Sequence, residues 1–224
     1  LNIIAFDTST EYCSLALWQD GEICYKEILA EQRHSELLLP MLQEILTENN
    51  IELKQINGYA FGAGPGSFTG IRIACGIAQG LAYATDCPVT GISTLEALAQ
   101  RIINDKVVVA LDARMGEIYH AAYEKQGNGT WITVNEATVC APNNAPSLEG
   151  NNWIGCGSGF DLYQRELSEH YRGRLDHIKN GLYPHAREIA TLAANKFSNK
   201  LGTNPILATP IYVRNKVALK ENER

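Results

Sequence analysis

The chain has 224 residues, a formal net charge of −6, 45% hydrophobic and 20% charged residues. That is enough for two modest lobes or one large α/β domain of ordinary soluble composition. No apolar run approaches the ~20 residues of a membrane helix. The acidic balance speaks against a broad nucleic-acid footprint, which needs a basic face.

The opening LNIIAFDTST lacks the basic n-region of a signal peptide and reads as a strand over residues 2–6. Asp7-Thr8-Ser9-Thr10 is a polar turn, residues 13–18 a second strand, and Gln19-Asp20-Gly21 a hairpin signal before a third strand over residues 22–29. Asp7, Thr8 and Ser9 thus stand at the C-terminal end of the first strand, the end that faces the ligand crevice of an open α/β sheet. The commoner role of Asp at such a corner is to cap the turn. A helix over residues 34–46 carries Leu38, Leu42, Ile45 and Leu46 on one face, widened by Leu37, Leu39 and Met41. So much apolar surface serves either a buried core or a partner. Pro40 starts or kinks this helix, and His34 is expected as a surface residue at its N-terminus.

Residues 59–84, YAFGAGPGSFTGIRIACGIAQGLAYA, organise the rest. A short apolar strand runs into a turn-rich loop of Gly62, Gly64, Pro65, Gly66, Ser67, Thr69 and Gly70, then into a helix capped by Ser67 or Thr69. Two rows of small residues follow at helical spacing: Gly70, Ala74, Ala78, Ala82, and beside them Gly76, Gly80, Ala84. Glycine inside a helix costs roughly 1 kcal/mol against Ala, so packing must offset it. The loop admits two readings, an anion cradle at a helix N-terminus or a tight strand-to-helix turn. The spacing fits neither the P-loop nor G-x-G-x-x-G nor G-x-S-x-G, which favours the turn.

Further on, residues 86–91 read as a strand, and Ser93 caps a helix over residues 94–103 with Glu96 at the capping-box position. A β-branched strand over residues 106–111 ends in Asp112-Ala113-Arg114-Met115-Gly116, and a strand over residues 117–124 follows. The strand–Asp–turn–strand theme of the N-terminus therefore recurs, as a duplication would leave it. Residues 131–134 form a strand and 141–150 a loop. Residues 152–154 lead to a second glycine loop, Gly155-Cys156-Gly157-Ser158-Gly159, before a helix over residues 160–169. Pro184 precedes a helix over residues 186–197. The last stretch reads as an extended tail with Arg214, Lys216, Lys220 and Arg224 against Glu221 and Glu223. The six cysteines (Cys13, Cys24, Cys75, Cys87, Cys140, Cys156) show neither C-x-x-C nor zinc spacing, and read as buried free thiols of a reducing compartment, the cytoplasm.

Several segments together resemble the bacterial TsaB (YeaZ) family: FDTST, RHSELLLPML, GPGSFTGIRIACGIAQGLA, VTGISTLEALA, LDARMGEIY and PIYVRN. The likeness covers nearly the whole chain, and GPGSFTGIR is its most specific part. It implies the two-lobed actin-like/sugar-kinase/heat-shock-chaperone ATPase fold, an α/β architecture of mixed sheets flanked by helices. The expected lobes are residues 1–104 and 105–204, with a tail over 205–224. It also implies a non-catalytic subunit acting with the paralogue TsaD and the ATPase TsaE to place a threonylcarbamoyl group on N6 of the adenosine beside the anticodon, in tRNAs reading codons that begin with A.

Against that superfold the nucleotide positions are degenerate. Asp7-Thr8-Ser9 puts a side chain where the phosphate motif has glycine, Asp112-Ala113 lacks the glycine after Asp, and the loop with Gly155 and Gly157 stands where the adenosine loop would be. The segment that reads G-V-N-H-L-E-G-H in TsaD, with two metal-binding histidines, is Gly91-Ile92-Ser93-Thr94-Leu95-Glu96-Ala97-Leu98, so Thr94 and Leu98 replace both. The expectations are therefore no catalytic residue, no metal, no cofactor on the chain alone and a nucleotide only in the assembled complex. The expected partner surface is Leu38, Met41, Leu42 and Ile45 with Gly70, Ala74, Ala78 and Ala82, meeting TsaD, or a second copy when alone; tRNA is met only through the complex, and no membrane is involved. The alternatives are an active small-metabolite kinase of the same superfold and, less favoured, a metallopeptidase.

Overall fold

The computed structural model describes residues 1–214, which form two compact units. One comprises Leu1–Ile103 and Leu182–Ile211; the other comprises Asn104–Gly181 and the described residues from Tyr212. The first unit contains β1 (Asn2–Asp7), β2 (Tyr12–Gln19), β3 (Glu22–Leu29), α1 (His34–Glu48), β4 (Gly58–Gly64), α2 (Phe68–Ala84), β5 (Val89–Ser93) and α3 (Thr94–Gln100). The second contains β6 (Lys106–Asp112), β7 (Ile118–Lys125), β8 (Trp131–Cys140), β9 (Trp153–Cys156), α4 (Ser158–Leu162), α5 (Gln164–His170) and β10 (Leu175–Lys179). The chain then returns to the first unit as α6 (Ala186–Ser198).

That return corrects the expected second lobe over residues 105–204 and the tail from 205. Ala186, Ile189, Ala190 and Ala193 of α6 have no exposed surface, and the helix packs on β1, β2 and β4. The amphipathic stripe needed a sheet to cover, and it covers the first. Residues 201–211 also stay with the first unit: Thr203 bridges Val89, the Gln79 amide donates to the Pro205 carbonyl at 2.8 Å, and Ile211 N donates to Ala63 O at 2.7 Å. Of the expected basic tail, Lys216, Lys220, Glu221, Glu223 and Arg224 lie outside the described residues. Arg214 forms an ion pair with Glu117 in the second unit.

Both units carry a five-stranded mixed sheet, in the orders β3-β2-β1-β4-β5 and β10-β9-β6-β7-β8. The two are the same topology. The first strand is central, the next two run antiparallel on one side, and the last two run parallel on the other. The repeated strand–Asp–turn–strand theme is thus a repeated sheet. The central strands are continuous apolar runs because both faces are covered: Ile3–Phe6 and Val107–Ala110 have no exposed surface.

The first core joins Leu38, Met41, Leu42 and Ile45 of α1 and Ala74, Ala78 and Ala82 of α2 to Phe6, Leu15, Tyr59 and Phe61. The second gathers Val108, Ile118, Trp153, Phe160, Leu167 and Tyr171. Several elements differ from the sequence reading. β8 is longer, the helix over 160–169 divides at Tyr163, and β10 has too few apolar residues to be read from pattern. Pro40 lies within α1. His34 is buried, donating from Nε2 to the Thr10 carbonyl at 2.9 Å, not a surface residue. All six cysteines are free thiols, but Cys24 is exposed on the edge strand β3.

Candidate functional site

The turn after β1 and the glycine loop after β4 close on each other. Asp7, Thr8 and Ser9 are all buried. The Thr8 hydroxyl donates to Gly70 O at 2.7 Å, and Ser67 N donates to Ser9 O at 2.8 Å. A Cβ on Gly66 would lie 2.6 Å from the Ser9 carbonyl oxygen, and one on Gly70 only 1.8 Å from that of Thr8. The glycines are therefore there to admit the chain's own backbone. Ser67 caps α2, its Oγ accepting from Gly70 N at 3.3 Å. On the far side Gly64, at φ +109° and preceding a cis Pro65, faces the Ile211 carbonyl. Residues 8 and 9 are thus packed against the loop at the start of α2.

Beneath this plug Asp7 is held from one side. Its Oδ1 accepts from Ser9 N (3.1 Å) and Ser9 Oγ (2.8 Å). Its Oδ2 has no partner and lies 1.9 Å from where a Gly62 Cβ would be. Burial pushes the carboxyl up to about 6, against the Ser9 hydrogen bonds and with help from the Glu27 charge. Cys13 on β2 is pushed up to about 12 by burial and by Asp7. Nearby, the Ser14 hydroxyl accepts from Ala186 N at 2.9 Å, and His185 caps α6 by accepting from Arg187 N at its Nδ1. His185 Nε2 lies 3.2 Å from Glu27 Oε2. Burial, then Arg101 and Arg187, hold this imidazole down at about 4. Arg187 donates Nε and Nη2 to Glu188 Oε1, and Glu188 Oε2 is left without a partner.

The second unit treats its matching aspartate differently. Asp112 accepts from Arg114 N at Oδ1 (2.8 Å) and from the Arg114 guanidinium at Oδ2 (2.9 Å). The turn it anchors holds Arg114, Met115 and Gly116 at φ 62°, 57° and 77°, with the Arg114 and Met115 side chains exposed. The second glycine loop is also filled from within. A Cβ on Gly155 would meet the Phe160 ring at 2.8 Å, one on Gly159 would meet the Ala110 backbone at 2.9 Å, and Gly157, at φ +100°, is the N-cap of the five-residue α4. Pattern reading missed a buried polar pair here. Tyr171 OH donates to Pro146 O at 2.9 Å and lies 2.8 Å from His120 Nε2. The tyrosine's one proton is spent, so Nε2 carries the imidazole proton, and Nδ1 is buried without a partner. Burial and then His170 pull His120 down to about 4.

At the positions compared with the TsaD histidines, Thr94 and Leu98 have no exposed surface, and the Thr94 hydroxyl donates to Pro65 O at 2.5 Å. Among the described residues no group of three or more His, Cys, Asp or Glu gathers that could hold a metal ion. No helix among them is long and apolar enough to cross a membrane.

The expected partner surface needs correction. Leu38, Met41, Leu42, Ile45, Gly70, Ala74, Ala78 and Ala82 are all buried, because these faces of α1 and α2 pack onto the sheet. The neighbouring row on α2 points outward: Gly76 and Gly80 are exposed, and a Cβ on either would have nothing within 4 Å. Beside them stand exposed Tyr83 and Ala84. Both rows consist of small residues, so composition alone could not say which faced in.

A chain with this plugged turn and this helix has close relatives. It is 38% identical to the tRNA threonylcarbamoyladenosine biosynthesis protein TsaB of Escherichia coli K12, over 99% of this chain and 98% of that protein. The Haemophilus influenzae protein of the same name is 36% identical over 99% of this chain and 97% of its own length. This chain belongs to the TsaB (YeaZ) family. Residues 27–220 also match the family model described as TsaD, tRNA N6-adenosine threonylcarbamoyltransferase. The solved structure of YeaZ from Pseudomonas aeruginosa superposes with a TM-score of 0.86 at 34% identity, covering 94% of this chain and 99% of that one. A second structure, described as similar to the peptidase YeaZ from Pseudomonas aeruginosa, gives 0.87 at 34%, covering 95% and 99%. The two mixed sheets flanked by helices are thus the family's α/β fold.

Proposed function

We propose that this protein is a non-catalytic scaffold subunit in the making of N6-threonylcarbamoyladenosine on tRNA, pairing with the TsaD paralogue in the cytoplasm, with the TsaE ATPase joining the pair and tRNA met only through the complex. The names of its relatives support the pathway. The observation that carries the scaffold role is the plug: the Thr8 and Ser9 carbonyls take the side-chain space of Gly70 and Gly66 in the loop that had offered itself as an anion cradle, which supports its reading as a tight turn. The chemistry at Thr94 and Leu98 points the same way, since a hydroxyl already donating to Pro65 O and a leucine are no metal-ligand pair. A nucleotide then belongs to the assembly rather than to this chain alone.

The docking face of this reading is the outward row of α2, Gly76, Gly80 and Ala84 with Tyr83. Exposed helical glycines cost about 1 kcal/mol each in the lone chain, and close approach of a second helix is what offsets such a cost. The same row would pair two copies in isolation. Ala78→Glu is no test of it, because Ala78 is in the core. Gly80→Glu is the test, since its side chain enters open space. The variant should fold with an unchanged melting temperature or a slightly higher one, and should fail to co-purify with TsaD, read by the mass of the assembly. Full assembly by this variant would move the interface elsewhere. Titration of the lone chain with ATP-Mg decides the kinase alternative, which tight binding would restore.

A further inference from the structure

A buried carboxyl with one oxygen bonded twice and the other not at all is an unstable arrangement for a charge. Asp7 has no cation against it. The titratable groups that act on it are Cys13 on β2 and Glu27 on β3; His185 lies beyond Glu27, and α6 brings the apolar Ile189 to the same Gly62 space that Oδ2 fills. The charge that acts on it is negative, that of Glu27. His185 is neutral, and Arg187 is spent on Glu188.

The geometry points to Asp7 as a proton-held latch: with a proton on its carboxyl the 7–9 turn stays seated in the loop before α2, and ionisation works that turn loose. The mechanical link is short. Asp7 Oδ1 holds both the N–H and the hydroxyl of Ser9, the Ser9 carbonyl takes Ser67 N, and Thr8 clasps Gly70. A carboxylate at this position relieves its charge only by turning toward water. Gly62 blocks one side, since Oδ2 already occupies its Cβ space, so the turn must leave Gly66 and Gly70. Burial holds the carboxyl up at about 6, within the range a cell visits. The latch concerns the lone chain and does not depend on the scaffold role.

The experiment is a carboxyl carbon-13 NMR titration of the folded full chain, with hydrogen exchange at the Ser67 and Ile71 amides followed from pH 5 to 8. Asp7→Asn serves as the reference that removes the intrinsic pH dependence of exchange. The Asp7 signal should titrate near pH 6, and protection at Ser67 should fall about tenfold relative to the variant, since native stability changes tenfold per pH unit below the raised pKa. Ser9→Ala removes the hydroxyl bond that favours the ionised form, so its midpoint should move upward; this variant keeps the test if Asp7→Asn does not fold. An Asp7 midpoint below 5, a midpoint unmoved by Ser9→Ala, or equal protection in wild type and Asp7→Asn would overturn the latch.

Discussion

The two units place an aspartate at the same point of the same sheet and use it in opposite ways. Asp7 is sealed under its own turn with one oxygen idle; Asp112 stays at the surface edge, both oxygens satisfied by Arg114. In the first unit the turn has been driven into the neighbouring loop until backbone meets backbone. In the second it stands clear, and the cost is conformational, with two non-glycine residues held at positive φ. One repeated layout thus yields a closed corner and an open one, and in the closed one it is Gly66 and Gly70 that admit the turn.

The sharpest way to break this contrast is Gly70→Ala. The new methyl would sit 1.8 Å from the Thr8 carbonyl oxygen, and backbone cannot yield as a flexible side chain can. A loss of about 3 kcal/mol or more is expected, at the upper end of overpacking costs, read as the midpoint shift in urea. A loss below 1 kcal/mol would mean that the plug is not seated.

Acid separates the units next. His120 is held neutral in the fold, so the unfolded chain binds the extra proton, and stability is fully present above about pH 6.5 and is lost as pH falls toward 4. That loss is about 2 kcal/mol by pH 5. In the first unit His185 acts in the same direction, but Asp7 opposes it, because a raised carboxyl contributes stability at low pH that disappears as pH rises through 6. Hydrogen exchange from pH 7.5 down to 5 should show the second sheet losing protection and the first nearly level. Equal loss in both would break the contrast.

The smallest effect belongs to the open corner. Gly116, at φ +77°, has nothing within 4 Å of an added Cβ, so Gly116→Ala should cost only about 1 kcal/mol, the price of a left-handed alanine. Thermal melting of this variant beside Gly70→Ala measures the difference between steric and conformational closure directly.

Much of this was legible from residues. The hairpin over β2 and β3, the cap at Ser93 and the repeated strand–Asp theme follow from turn chemistry and alternation, which are local, and of the two caps offered for α2 the fold uses Ser67 rather than Thr69. What failed was non-local. Two stripes of small residues on α2 look alike until a sheet chooses one. α6 carries an apolar face but nothing that says which sheet it covers. His34 and His120 are polar residues whose burial depends on single distant acceptors, the Thr10 carbonyl and the Tyr171 hydroxyl. β10 is strand because β9 offers it an edge, with Leu175 and Ile178 its only apolar contribution.

The return of α6 has a consequence for synthesis. As the nascent chain leaves the ribosome, the helix that covers β1, β2 and β4 is missing until residues 186–198 are made. The stretch Asn104–Gly181 is contiguous and waits for far less. The body that begins first therefore closes only after the whole stretch Asn104–Gly181 of the other has been made.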